Sequence, residues 1–366
     1  MEWSEKLQQA FFTLLRAGLW HVNQDDWSCF PLSEGEWKSI WKQATRQSVR
    51  GLVFDGLCLL PEHLMPGIQL VVVWTAEVER IEQRNRQMNK VLLELVRSLT
   101  EIEKAPLVLK GQGVAQLYEQ PLLRECGDID LYFDDVQSEV ILLDWIRSKG
   151  VSIHTEPDGT HAYQWKGMDV EHHRRIFDLY AGGIQPYLDR QLQKYGSTCM
   201  PLLGDEQSKI RVLSPVLNLL LLNTHLLKHL MGHGIGLRQF CDLARAYHVW
   251  KNAYDGEGLK ECYRRCGLLR WSRLLHMMLV EHLGLPMAEL PYKDTLHSSD
   301  YLLKRVMEEG NFGKDASTRG DATQPVWQRK CHTGFAFLGN LRFSLTYAPR
   351  ESLGLVRSLI IGNINS

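Results

Sequence analysis

The chain has 366 residues, 44% hydrophobic and 23% charged, and its 42 basic side chains against 43 acidic ones leave a formal charge of -1. That balance excludes a disordered or fibrous chain, and it excludes a nucleic-acid binder that works through a basic whole-protein field, leaving room only for a local basic patch. Acids at Glu2 and Glu5 stand where a secretory leader carries positive charge, no apolar run approaches the ~18 residues of a membrane span, and eight cysteines without CxxC spacing read as reduced thiols, so a cytoplasmic protein with no membrane partner is expected.

In chain order, residues 1–104 read as a helical region. Trp37, Ile40, Trp41 and Ala44 recur at three- and four-residue steps, the stripe of one helix face. From Val71 to Lys104 the positions Val78, Ile81, Met88, Leu92, Leu95, Leu99 and Ile102 sustain the same rhythm with no Gly or Pro, which predicts one long helix. The texture changes at Pro106, and residues 105–200 read as a compact α+β unit. Its elements are a short strand through Val108 and Leu109, a helix-like stretch from Gly111 to Tyr118, a strand over Asp128–Phe133, and a helix ending at Gly150. A hairpin, His161–Trp165 and Met168–His173, turns at Lys166-Gly167. Everything after about residue 200 reads as helical. A domain over 201–295 is expected to contain a helix that starts at Ser214-Pro215 and stops in Gly232–Gly236, followed by another from Leu237 to about Lys251. Residues 296–366 read as a helical tail interrupted by a polar, aperiodic loop at 310–325.

The chemistry concentrates in the central unit. Asp128 and Asp130 sit two apart in an otherwise apolar strand, so both carboxylates share one face while Ile129, Leu131 and Phe133 take the other. A bare pair of this kind also suits an edge strand with one solvated face. Like charges held together repel, and hard divalent cations with oxygen ligands are a common remedy. On that repulsion alone, Asp130→Asn is expected to leave the metal-free chain as stable or more so. Lys110-Gly111 forms a strand-to-helix turn whose amides favour a phosphate. Asp169, Glu171 and His173 alternate along a third strand and share one face. Alternation alone does not choose between Asp169 and Glu171 as a third carboxylate, although Asp169 stands nearer the hairpin turn.

Val108-Leu109-Lys110-Gly111, Tyr118, Arg124, Gly127-Asp128-Ile129-Asp130-Leu131 and Val170-Glu171-His172-His173 together resemble the DNA polymerase β nucleotidyltransferase superfamily, and more closely its bacterial branch of uncharacterised nucleotidyltransferases. His225, His229 and the run Gly236 to Asp242 resemble the helical half of that branch. The resemblance implies an α+β fold: a polymerase β-like core of small mixed sheet and helices between an N-terminal helical region and a C-terminal helical domain that closes the nucleotide cleft. It implies that Asp128, Asp130 and Glu171, with Asp169 as the alternate, hold two Mg²⁺ ions, or Mn²⁺, in the two-metal arrangement. Lys110, Gly111, Gly113, Arg124, His173, His225, His229 and Asp242 would bind the nucleotide, Arg124 either neutralising charge near the pyrophosphate or bracing its loop. The implied reaction moves an NMP from an NTP, ATP among them, to a hydroxyl of a small molecule or protein with loss of pyrophosphate. An RNA 3′ end as acceptor, or a silent nucleotide- or partner-binding module, are the alternatives.

His225, His229 and His233 recur at four-residue steps, a spacing that also occurs among zinc ligands, but no acid or cysteine in that helix completes a tetrahedron. Pocket lining or a buried polar network is the expected role. Cys262 and Cys266, one helical turn apart, are expected to pack.

Overall fold

The computed structural model describes residues 3–24, 26–100, 105–156, 158–232, 234–294, 298–310 and 341–364. The chain divides into two compact units. The first comprises Met1–Trp41, Val49–Ile176 and Tyr195–Ser214; the second comprises Lys42–Ser48, Phe177–Lys194 and Pro215–Ser366.

The first unit opens with α1 (Glu5–Trp20), α2 (Glu34–Gln47, to Trp41 in this unit) and α3 (Arg50–Cys58). Ser4 caps α1 by accepting from the Leu7 amide at 3.2 Å, which satisfies one of the open N–H groups of its first turn. Helices α1 and α3 touch backbone to backbone: a Cβ on Gly18 would lie 1.8 Å from the Leu52 carbonyl oxygen, and one on Gly56 would lie 2.0 Å from that of Leu14. The tryptophan stripe is packing, with Trp41 stacked on Trp74 at 4.5 Å between ring centroids. Helix α4 (Ile68–Thr100) is the long helix that the sequence rhythm predicts.

A mixed seven-stranded sheet follows: β1 (Leu107–Leu109), β2 (Ile129–Tyr132), β3 (His154–Thr155), β4 (His161–Trp165), β5 (Met168–His173), β6 (Ser197–Leu202) and β7 (Asp205–Leu213), in the order β3-β4-β5-β2-β1-β7-β6. Between strands lie α5 (Gly111–Ala115) and α6 (Val136–Ser148). The hairpin β4–β5 closes through Lys166 and Gly167, both at positive φ (50° and 79°), as a two-residue turn of the mirror-image type requires. Strand β2 runs antiparallel to β1 and parallel to β5, with Leu109 opposite Asp130 and Asp130 opposite Glu171. The apolar side chains Val108, Ile129, Leu131 and Val170 join Met88, Leu92 and Leu95 of α4 and Leu142, Leu143 and Ile146 of α6 in one core. Burying that set commits the opposite side chains of β2 and β5 to the other face of the sheet.

The hairpin β6–β7 corrects the reading of everything beyond residue 200 as helical. Ile210 and Val212 point inward in alternation, and β7 joins the sheet in parallel alongside β1, with Leu107 opposite Arg211. A strand whose first half carries Asp205, Glu206, Gln207 and Ser208 gives little hydrophobic period, so its membership is set by tertiary pairing.

The second unit holds α7 (Gln185–Tyr195, to Lys194 in this unit), α8 (Pro215–Gly232), α9 (Leu237–Trp250), α10 (Gly256–Arg265), α11 (Leu269–Leu283) and α12 (Asp300–Glu309), with a final helix at Pro349–Ile364. Its core is apolar around a polar centre, where the Tyr247 hydroxyl sits 2.9 Å from that of Tyr263 and 3.0 Å from His276 Nε2. Cys262 and Cys266 are both buried. The loop expected at 310–325 lies, but for Gly310, outside the described residues.

Candidate active site

The site is built on the exposed edge of alternation. Strand β2 begins just after Asp128; Asp130 projects from it, and Glu171 and His173 project from β5 on the same face. The Asp130 carboxylate is 4% exposed, Glu171 38% and His173 14%. One oxygen organises the group. Asp130 Oδ1 accepts from His173 Nε2 at 2.6 Å and from the Lys110 ammonium at 3.0 Å, and His173 Nε2 is also 3.6 Å from Glu171 Oε2.

Lys110 arrives there through an unusual backbone. It follows β1 at φ 49°, ψ -137°, a region few L-residues adopt, and Gly111 follows at φ 35°. Such strain costs on the order of 1–3 kcal/mol and persists where the surroundings over-determine it. Here β1 and α5 fix both sides of the turn, and a Cβ on Gly111 would come within 3.3 Å of the Asp128 carbonyl oxygen. Helix α5 stops at Ala115, short of the predicted Tyr118, so a helix dipole contributes little and the turn itself is the distinctive feature. Gly113 is buried against the Val212 side chain, where a Cβ would lie 3.2 Å from a methyl carbon.

Burial alone would raise the Asp130 carboxyl, but the Lys110 charge and the His173 hydrogen bond outweigh it and hold the group far below the usual carboxylate range. Desolvation pulls Lys110 downward, and the charges of Asp130 and Asp128 more than reverse it. Glu171 is pushed up, first by burial and then by Asp130 and Asp128. The repulsion read from the sequence is therefore real at Glu171. At Asp130 a lysine already answers it, and the expectation that Asp130→Asn relieves strain gives way.

Asp169 is exposed, hydrogen-bonded to the Gln164 amide and farther along the strand from Asp130. With Asp128, Gln164 and Glu171 it lines an open depression of about 740 Å³ between β3, β4 and β5. Arg124 is buried, 4% exposed, with its guanidinium on Cys126 Sγ at 3.1 Å and its carbonyl held by Asn85 at 2.8 Å, contacts that brace the loop before β2. His225, His229 and Asp242 belong to the second unit; the two histidine rings meet edge to face at 4.2 Å, and Asp242 is buried. His233, the third member of that stripe, lies outside the described residues.

Asp130, Glu171 and His173 each offer one ligand atom, all within 4.8 Å of one another. This donor set fits a divalent cation: two carboxylates that otherwise repel, an imidazole, and a lysine ammonium standing in as counter-charge. Residues 33–284, more than half of the chain, match the family described as uncharacterised nucleotidyltransferase. The chain belongs to that family. Membership supports nucleotidyl transfer in general. One solved structure, an antigenic nucleotidyltransferase-like protein from Paracoccidioides brasiliensis, aligns at 16% identity over 54% of this chain and 92% of that one, with a TM-score of 0.32. Among curated proteins none matches. Among the described residues no helix is long and apolar enough to cross a membrane.

Proposed function

We propose that this nucleotidyltransferase is an enzyme of the polymerase β-like kind, moving an NMP from an NTP such as ATP to a hydroxyl of a small molecule or protein with release of pyrophosphate. The single observation that carries this reading is the convergence of Asp130, Glu171 and His173, whose ligand atoms lie within 4.8 Å of one another, beside the strained Lys110-Gly111 turn, with the Asp128 charge acting on both Lys110 and Glu171. Asp128, Asp130 and Glu171 would hold divalent ions, Mg²⁺ or Mn²⁺. When bound, the ions supply charge stabilisation to the attacking and leaving oxygens of an in-line displacement at the α-phosphate. The protein's own part is positioning. Asp130 is held in place by two donors and kept ionised, so its charge is present before a cation arrives. The Lys110 ammonium, paired with Asp130, would switch that contact to a phosphate oxygen of the bound nucleotide. The depression lined by Asp128, Gln164, Asp169 and Glu171 adjoins the carboxylates and is the place we assign to the acceptor. Arg124 acts by bracing the strand that carries the aspartates, and Gly113 by letting α5 approach β7.

The test is transfer itself. Protein incubated with α-labelled NTPs, a divalent metal and a cell extract is expected to yield a labelled product and pyrophosphate, neither of which forms with Asp128→Asn. Label that depends on neither the metal nor Asp128 contradicts the reading.

A further inference from the structure

We propose that His173 is a metal ligand, and that its nitrogen gives the site a preference for first-row transition ions, Mn²⁺ and Co²⁺, over Mg²⁺. This deepens the nucleotidyltransferase reading and rests on it.

The geometry singles out His173 among the histidines of the sheet. His172, its neighbour, points the other way into the core, where it is fully buried and 3.0 Å from the Tyr163 hydroxyl. His154 and His161 belong to the outer strands β3 and β4. His154, paired with Ala162, which in turn pairs with Glu171, shares that face from the edge strand β3, but it is His173 whose Nε2 the parallel pairing of β5 with β2 brings to the same Asp130 oxygen that Lys110 contacts. Two donors on one ion, each about 2.1 Å from it and at right angles, stand about 3 Å apart. The spacings from Nε2 of 2.6 Å to Asp130 and 3.6 Å to Glu171 bracket that value. The proton that His173 now shares with Asp130 occupies the position a cation would take between the same two atoms.

The consequence for metal choice follows from ligand chemistry. Mg²⁺ dehydrates reluctantly and favours oxygen donors, whereas an imidazole raises affinity for divalent first-row transition ions, least for Mn²⁺ and more for Co²⁺. A site made only of Asp128, Asp130 and Glu171 would show that bias more weakly. Adding one imidazole from the position two residues past the third carboxylate strengthens it. A neutral His173 that merely oriented Asp130 would leave the preference between metals unchanged, so selectivity separates a ligand from a brace.

The experiment uses the full chain with Mn²⁺ and Mg²⁺ alone as probes. Mn²⁺ binding is followed by the loss of its free electron-paramagnetic signal, Mg²⁺ binding by competition, and nitrogen coordination by pulsed electron-spin-echo detection of ¹⁴N coupling to bound Mn²⁺. The wild-type protein is expected to show coupling to one imidazole. Its Mg²⁺-to-Mn²⁺ ratio of dissociation constants is expected to exceed that of His173→Gln at least 10-fold, and His173→Gln is expected to bind Mn²⁺ without nitrogen coupling. Absence of coupling in the wild-type protein, which requires no variant to fold, overturns the proposal, as does an unchanged ratio or coupling that survives in His173→Gln. If Mn²⁺ does not bind, or binds equally well to Glu171→Gln, the nucleotidyltransferase site reading falls with it; if binding needs Glu171 but not His173, only the present inference falls.

Discussion

Lys110 Nζ lies 3.0 Å from Asp130 Oδ1, so the most buried carboxylate of the site is neutralised by the residue that begins the adjacent turn. The pair changes what Asp130→Asn is expected to do. Removing one partner of a buried ion pair strands the other, an effect of about 3–5 kcal/mol, partly offset here by relief at Glu171 and Asp128. We expect the variant to lose about 2–4 kcal/mol of unfolding free energy in denaturant titration. Lys110→Met combined with Asp130→Asn is expected to recover part of that loss, and a double variant as unstable as the sum of the singles would show that the two groups do not interact.

Glu171 and Asp169 separate by function. Glu171 faces Asp130 across the β2–β5 ladder, while Asp169 is exposed and tied to Gln164. Glu171→Gln is expected to lower kcat at least ~100-fold, the scale of losing a principal electrostatic stabiliser, and Asp169→Asn to act mainly on acceptor KM. Steady-state kinetics with saturating metal decides it; a larger kcat loss for Asp169→Asn would transfer the third ligand to that residue.

The crossing of α1 and α3 depends on two hydrogens. Gly18→Ala sets a methyl against the Leu52 carbonyl, and neither helix can yield without moving the other, so a loss of about 3 kcal/mol or more is expected. Gly35→Ala, in a helix with open space around the added methyl, is expected to be neutral or to gain up to about 1 kcal/mol. Melting temperatures of the two variants should therefore move in opposite directions or differ by many degrees.

His276 makes stability depend on pH. Burial pushes its imidazole down to about 3, below the ordinary 6.5. The unfolded chain then binds more protons than the folded one between those values, so stability is present above about 6.5 and falls as pH drops toward 3, by about 1.4 kcal/mol per pH unit for this one group. His276→Gln is expected to flatten the fall between pH 6.5 and 5 by that amount, read from denaturant titrations at each pH. An unchanged slope would mean that His276 titrates normally in the folded protein.

Much of this architecture is legible in the sequence because local period and burial agree. The β4–β5 hairpin, the turn at Lys166-Gly167 and the α4 helix carry strong patterns, and the two-residue spacing of Asp128 with Asp130 and of Glu171 with His173 assigns each to a face. What escapes is set by partners distant in sequence. Strand β7 is polar along half its length and gains its identity from pairing with β1. The contact of Lys110 with Asp130 depends on positive φ at a lysine, for which the letters Lys-Gly give no warning. His173 is marked by alternation as sharing the Glu171 face, but only strand register brings its ring to Asp130.

Calorimetric titration of NTP into the full chain tests most directly whether Asp128 and the carboxylates of β2 and β5 form a metal-dependent nucleotide site. With Mg²⁺ or Mn²⁺ present, binding is expected at micromolar to millimolar concentration, to weaken at least 10-fold when the metal is chelated, and to weaken comparably in Asp128→Asn. Nucleotide binding that is indifferent to metal and to Asp128, or no binding of any NTP with either metal at millimolar concentration, would contradict it.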